Sequence, residues 1–152
     1  GDKAPSAWEQ LAKKTVTVTK GWSEAYGMFL KGQADLVLSY TTSPAYHRLA
    51  EHNLQYRAAL FSEGHVRQVE VAAKLKSAAQ DKLADQFLQF MVSPAFQQEI
   101  PAGNWMYPVS DQPLPKGFEQ MITVAKPLSF TSDEEAANRK NWIREWLQAV
   151  TQ

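Results

Sequence analysis

The chain has 152 residues, 44% of them hydrophobic, which is enough for a globular protein with a core and argues against disorder. Sixteen Lys and Arg balance sixteen Asp and Glu, so net charge selects neither nucleic acid nor an anionic membrane as the partner. There is no cysteine, which excludes disulfides, thiolate metal sites and a cysteine nucleophile.

The first forty residues show the patterns of a helix, a strand and a second helix. Ser6 and Glu9 have the spacing of a capping box, which predicts a helix opening there. Residues 15–19, TVTVT, alternate as a strand does. A short helix is predicted from about Ser23 to Lys31, followed by Gly32, which suits the left-handed conformation after a helix end.

A strand that leads directly into a helix is predicted next. Residues 34–40, ADLVLSY, form a nearly continuous apolar run, typical of a strand covered on both faces in a parallel sheet. Ser43 is predicted to cap the following helix and Pro44 to be its first residue. Strand, short loop and helix N-terminus therefore follow one another without a gap.

This junction is a candidate ligand loop. In open α/β sheets, ligands bind beyond the carboxyl ends of the strands, where a helix N-terminus offers free N–H groups. Thr41 and Thr42 add hydroxyl groups there, and Tyr40 and Tyr46 can form walls on either side. An ordinary capped turn is the alternative interpretation.

The rest of the chain continues the alternation of strands and helices. The patterns predict a strand over residues 65–75, a helix over residues 81–92, a short helix from Pro94 through Ile100, and a last helix opened by a capping box of Ser132 and Glu135.

Trp105 and Tyr107 stand in the short segment GNWMYPV, residues 103–109. An extended backbone would place both rings on the same side, where they could bind a flat or cationic ligand. The alternative is a loop that its own aromatic residues pin to the core. Trp22 likewise precedes a helix, where it either contacts a ligand or shields the helix end.

The sequence offers no catalytic site and no metal site. The interval of five residues between His47 and His52 does not put both on one helix face, and no glycine-rich phosphate loop or GxSxG motif is present. We therefore expect structural or solvent-exposed histidines, and no cofactor.

Four stretches together resemble a known family: KKTVTVTKGWSEAYG, DLVLSYTTSPAYH, QFLQFMVSPAF and GNWMYPV. From about Ala7 onward the chain is similar to the C-terminal half of the thiamine-binding branch of the periplasmic solute-binding proteins, which serve bacterial ABC importers. The resemblance implies an α/β fold, the C-terminal part of a two-lobed type II periplasmic binding protein. It also implies that the chain is an incomplete fragment, whose N-terminal half is absent.

The resemblance further implies how the chain is divided between the lobes. Residues 1–40 and 109–152, approximately, would belong to one lobe and residues 44–104 to the other, with crossings near residues 41–46 and 105–109. By family analogy the residues that contact the ligand are Trp22, Tyr40, Thr41, Thr42, Ser43, Tyr46, Trp105 and Tyr107. Tyr46 and Trp105 are expected to be two aromatic faces between which the ligand stacks.

The implied function is capture of thiamine, thiamine phosphate or thiamine diphosphate in the periplasm for delivery to an ABC transporter permease. The fragment itself is expected to self-associate or to need the missing half. The alternatives are an enzyme of thiamine or pyrimidine chemistry on the same fold, and an inactive stable fragment.

Overall fold

A computed structural model describes residues 3–151 of the chain. In chain order the elements are α1 (Ala4–Ala12), α2 (Trp22–Leu30), α3 (Ser43–Ala50), β1 (His65–Val66), α4 (Asp81–Met91), α5 (Pro94–Gln97), α6 (Ile100–Gly103), a short 3-10 helix (Phe118–Gln120), β2 (Pro127–Leu128) and α7 (Ser132–Val150). None of the helices in this described part is long and apolar enough to cross a membrane.

The chain divides into two compact units. The first contains the residues up to Ser39 together with those from Ser129 onward, and the second is Tyr40–Leu128. Residues 109–128, which we assigned to the same lobe as the C-terminal helix, therefore group with the unit that begins at Tyr40. The division between the lobes of a complete protein stays a prediction, and residues 1, 2 and 152 of the predicted lobes lie outside the described part.

In the first unit, helix α1 packs along α7. The predicted capping box of Ser6 and Glu9 is wrong, because α1 already begins at Ala4 with Pro5 in its first turn. Proline suits that position, since its φ angle is fixed near the helical value and the N–H it lacks would have had no helical partner. The first turn thus needs no side-chain cap at Ser6.

The capping box of α7 is present, but one residue earlier than predicted. The backbone N–H of Glu134 donates to the Thr131 hydroxyl at 3.2 Å, and the Glu134 carboxylate accepts from the Thr131 backbone N–H at 2.8 Å. Thr131 has the extended backbone conformation that an N-cap requires. The capping residues are three positions apart as predicted, but they are Thr131 and Glu134 and not Ser132 and Glu135.

Local signals placed the other long helices well. Helix α2 lies within one residue of its predicted ends, and Gly32 has the expected left-handed φ of 70°. The helix predicted over residues 81–92 is α4, which ends at Met91. Val92 and Ser93 separate it from α5, which begins at Pro94 as predicted but ends at Gln97 and does not continue through Ile100.

The strand predictions are largely wrong. The only ladder among residues 3–151 is the two-residue parallel pair of β1 and β2, in which His65 is opposite Pro127. No strand is formed over residues 15–19 or 34–40. Leu36 and Leu38, predicted to be covered on both faces, are 81% and 92% exposed. A strand exists only where a neighbour accepts its backbone hydrogen bonds, and the described residues supply none for these segments.

The core of the second unit is small and lies beneath α3. Ala45 of α3 packs with Phe118 and Met121, and Leu49 and Trp105 pack against this cluster. Close approach of the chain to α3 depends on Gly117, whose φ is 108° and at which a Cβ would lie 2.8 Å from the Leu49 side chain. The backbone angle favours glycine, and any larger residue would also require the Leu49 methyl group to shift.

Candidate functional site

The Tyr40–Ser43 junction forms a compact turn ahead of α3. The Tyr40 backbone N–H donates to the Ser43 hydroxyl at 3.2 Å, and the Ser43 N–H donates to the Tyr40 carbonyl at 3.0 Å. Contrary to our expectation that Ser43 would cap α3, the residue at the cap position is Thr42. The Ser43 hydroxyl instead closes the turn that leads into the helix.

Thr42 connects this turn to the segment of residues 103–109, which we call the Trp105 segment. Thr42 is only 3% exposed, and its hydroxyl contacts the Met106 sulfur at 3.8 Å. Thr41, beside it, is partly exposed. The two candidate sites singled out from the sequence therefore meet in the second unit, although they are more than sixty residues apart in the chain.

Tyr46 and Trp105 lie in direct contact. Their ring centroids are 5.3 Å apart and their planes are at 79°, an edge-to-face arrangement. A flat ligand stacked on both rings would separate their centroids by about twice the ~4.5 Å minimum for one stacked pair. The two rings therefore do not form the pair of opposite walls that we expected. They form a right-angled aromatic corner, in which Tyr46 remains 40% exposed.

The backbone of Trp105 is left-handed, with φ at 55°. This conformation costs an L-residue about 1–2 kcal/mol, so the surrounding contacts must hold it. It also overturns the expectation of an extended WMY segment with both rings on one side. Trp105 turns instead towards the core cluster of Ala45, Phe118 and Met121, as the core-pinning alternative proposed.

Tyr107 packs on Phe118, a member of the same cluster. Its ring meets that of Phe118 edge to face, with 5.8 Å between the centroids. Partial burial raises the pKa of the Tyr107 hydroxyl above its ordinary value. At neutral pH this residue is thus an uncharged group that can donate a hydrogen bond.

The Trp105 segment is fixed at both ends by side chains that the sequence analysis missed. Near its start, the Asn104 amide donates to the Glu70 carboxylate at 3.1 Å. At its end, the Val109 backbone N–H donates to the Gln97 side-chain oxygen at 2.8 Å. Gln97 is 6% exposed, which its residue type does not predict, because glutamine is mostly found at the surface.

Trp22 belongs to the first unit, whereas the other candidate residues belong to the second. Its indole N–H donates to the Ser39 hydroxyl at 2.9 Å, and its ring stacks on Tyr26 with 4.7 Å between the centroids. Half of the Trp22 side chain is exposed. The contacts with Tyr26 and Ser39 support the interpretation that Trp22 shields the helix end. The exposed half of its side chain is still open to a ligand.

The histidines are structural or solvent-exposed, as the sequence indicated, and His52 is the exposed one. His47 is buried on α3, where its Nδ1 lies 2.6 Å from the Glu51 carboxylate and its ring packs on Tyr56. The Nε2 of His65 accepts a hydrogen bond from the Phe61 backbone. Among residues 3–151 no group of three or more potential ligands could hold a metal ion.

Comparison with known proteins shows the family to which the chain belongs. The sequence profile of the family described as bacterial extracellular solute-binding protein matches residues 3–98, and the chain belongs to this family. The predicted fold class, an α/β part of a type II periplasmic binding protein, is thereby confirmed.

Individual relatives match the chain at high sequence identity over nearly its whole length. The chain is 65% identical over 151 residues to the thiamine-binding periplasmic protein of Escherichia coli (strain K12), covering 99% of this chain and 46% of that protein. It is 44% identical to the protein of the same name from Haemophilus influenzae, of which it covers 45%. A solved structure called periplasmic thiamin binding protein matches the whole chain with a TM-score of 0.97 and 64% identity, over 48% of its own length. The chain thus spans about half the length of these relatives.

Proposed function

We propose that the complete protein captures thiamine or its phosphate esters in the periplasm and delivers them to an ABC transporter permease. The observation that carries this proposal is the 65% identity, over nearly the whole chain, to a relative named for thiamine binding. The present chain would supply about half of the binding cleft. The membership of the family favours solute binding over catalysis.

The aromatic corner of Tyr46 and Trp105 suits the chemistry of this ligand. Thiamine carries a permanently cationic thiazolium ring and a flat aminopyrimidine ring. A cation within about 6 Å of an aromatic face gains about 0.5–2 kcal/mol, and an aromatic pair gains about 0.5–1.5 kcal/mol. Because the two protein rings stand at right angles, we propose that each ligand ring packs on one exposed face of the corner.

A cation can be held in this way without a buried carboxylate, whose removal from water would be costly. The partly exposed hydroxyl groups of Thr41 and Ser43 would orient the ligand at the N-terminus of α3, where a phosphate is also favoured by the helix dipole. Thr42, which is buried against Met106, stays a proposed contact that rests on the family resemblance. Tyr40, Tyr107 and Trp22 stay proposed contacts that rest on the family resemblance.

The proposal is tested by titration calorimetry of the protein extended to the full length of its relatives. We expect saturable heat with thiamine, thiamine phosphate or thiamine diphosphate, and the comparison of the three would identify the preferred form. The absence of heat with all three would overturn the proposal. Incubation with thiamine followed by analysis for cleavage products separates capture from enzymatic degradation.

We also propose that the isolated chain self-associates unless the other half of the protein is supplied. The support is the apolar surface at segments that have no neighbouring strand among residues 3–151: Leu36 and Leu38 in the first unit, and Val69 and Val71 in the second, are all mostly exposed. Unpaired backbone groups beside exposed apolar side chains favour pairing with another chain.

A further inference from the structure

We infer that Gln97 is a positioning residue, which holds the Trp105 segment in the conformation that brings Trp105 against Tyr46. Its consequence for affinity rests on the proposed function, whereas its effect on conformation does not. Gln97 touches neither ring of the aromatic corner through any described contact, and acts on the corner through the backbone of Val109.

The side-chain amide of Gln97 uses its donor and its acceptor on two different segments. Its nitrogen donates to the Met91 carbonyl at 2.7 Å, and its oxygen accepts from the Val109 N–H at 2.8 Å. Met91 is the last residue of α4, where carbonyl groups have no partner within the helix. One buried amide therefore satisfies two backbone groups and ties the end of the Trp105 segment to the end of α4.

Only an amide of this length can perform both roles. A carboxylate in its place would accept from Val109 but would set an oxygen against the Met91 carbonyl. An apolar side chain of similar size would leave both backbone groups without these partners. Because Gln97 is 6% exposed, water has little access to its side-chain amide.

The Trp105 segment needs such an attachment because its conformation is intrinsically unfavourable. Trp105 is left-handed, which an L-residue rarely adopts without support from its surroundings. The other polar attachments are weaker: the Asn104–Glu70 bond is exposed, and the Thr42–Met106 contact involves a sulfur acceptor at 3.8 Å. The bond from the Val109 N–H to Gln97, at 2.8 Å and with its acceptor on a side chain that is 6% exposed, is thus the strongest polar attachment of the segment.

Loss of this attachment should lower the fraction of molecules in which Trp105 is correctly placed. If that fraction falls to about one tenth, the apparent Kd for a ligand bound at the corner rises about tenfold, because the apparent Kd is the intrinsic value divided by the competent fraction. Binding would weaken although no ligand contact had been removed.

The test compares Q97E and Q97M with Q98E, a matched control at the exposed neighbouring residue. Hydrogen exchange of the peptide that contains Val109, and the fluorine NMR signal of Trp105 labelled as 5-fluorotryptophan, are measured without ligand. We expect faster exchange and a displaced Trp105 signal in Q97E and Q97M, and neither change in Q98E. Unchanged exchange and signal in both Gln97 variants would overturn the inference, and Q97M decides it if Q97E fails to fold.

Thiamine affinity is then measured on the same variants in the full-length protein, well below their melting temperatures. An affinity about tenfold weaker in the Gln97 variants supports the positioning role. A lowered melting temperature with unchanged affinity would show a purely structural role and overturn it. If the parent protein does not bind thiamine, the proposed function fails, while exchange and the Trp105 signal still decide whether Gln97 positions the segment.

Discussion

The ring of Trp105 meets the ring of Tyr46 edge to face at 5.3 Å, while the backbone of Trp105 is left-handed and its side chain packs on the core beneath α3. The same residue therefore contributes to a candidate binding surface and to the stability of the second unit. The effects of replacing it should appear in both properties.

Trp105→Ala is expected to weaken thiamine binding by about 2 kcal/mol, a factor of about 30, as for an aromatic residue at the centre of a site. It should also destabilise the second unit by about 2–4 kcal/mol, since removing a fully buried tryptophan side chain costs about 3–5 kcal/mol and Trp105 is partly buried. Calorimetry and thermal unfolding measure the two effects. Trp8→Ala, in the first unit, is the control and should leave affinity unchanged; unchanged affinity in Trp105→Ala would contradict the placement of Trp105 in the site.

Gly117→Ala should destabilise the second unit by about 1–3 kcal/mol, because φ at this position is 108° and the new methyl group would lie 2.8 Å from the Leu49 side chain. Gly103→Ala is the matched control, since a Cβ there meets nothing within 4 Å. Chemical unfolding compares the two. Equal stability of both variants would show that Gly117 is not needed for the close approach to α3.

The stability of the α7 capping box should depend on acid pH. The Thr131 backbone N–H, and then its hydroxyl, hold the pKa of the Glu134 carboxyl below its ordinary value. A carboxyl with a lowered folded-state pKa stabilises the protein above its unfolded pKa. That stability is lost as the pH falls below about 4.3 and through the folded-state pKa.

The melting temperature of Glu134→Ala should therefore fall less between pH 7 and pH 3 than that of the parent protein. Glu135→Ala should show the same fall as the parent protein. Circular dichroism melting between pH 7 and pH 3 distinguishes the two variants. A Glu134 variant that loses stability on acidification just as the parent does would mean that this carboxylate does not contribute.

Leu38→Lys should reduce self-association of the isolated chain, because it puts a charge on the most exposed part of the 34–40 segment, where Leu38 is 92% exposed. Gln33→Lys adds the same charge outside that segment and should leave association unchanged. Light scattering over a range of concentrations gives the molar mass. A parent chain that stays monomeric at high concentration would contradict the proposed self-association.

The sequence predicts helices better than strands in this chain, for a physical reason. Gly32, Pro44 and Pro94 act within one or two turns of the helix that they begin or end, so their effect does not depend on the rest of the protein. Leu36 and Leu38 form a strand only beside another strand. Their apolar pattern predicted a covered strand, and that prediction is wrong for this chain because the described residues contain no neighbour to pair with them.

The candidate site shows the same distinction between local and distant causes. That Tyr46 and Trp105 lie together could be inferred only through the family resemblance, and the right angle between them could not be inferred at all. The left-handed backbone of Trp105 and the burial of Gln97 depend on packing across the second unit. Neither the left-handed backbone nor this burial can be predicted from the pattern of neighbouring residues.

The two-residue ladder between β1 and β2 has a consequence for the order in which the second unit folds. It pairs His65 with Pro127 and so closes a long loop of chain, but it forms very few hydrogen bonds. Closing a flexible loop of that length costs about 3–4 kcal/mol of chain entropy, more than so short a ladder returns by itself. Pairing of the two strands should accordingly follow the packing of Phe118 on α3, which brings the ends of the loop closer together and makes the ladder a late step in folding.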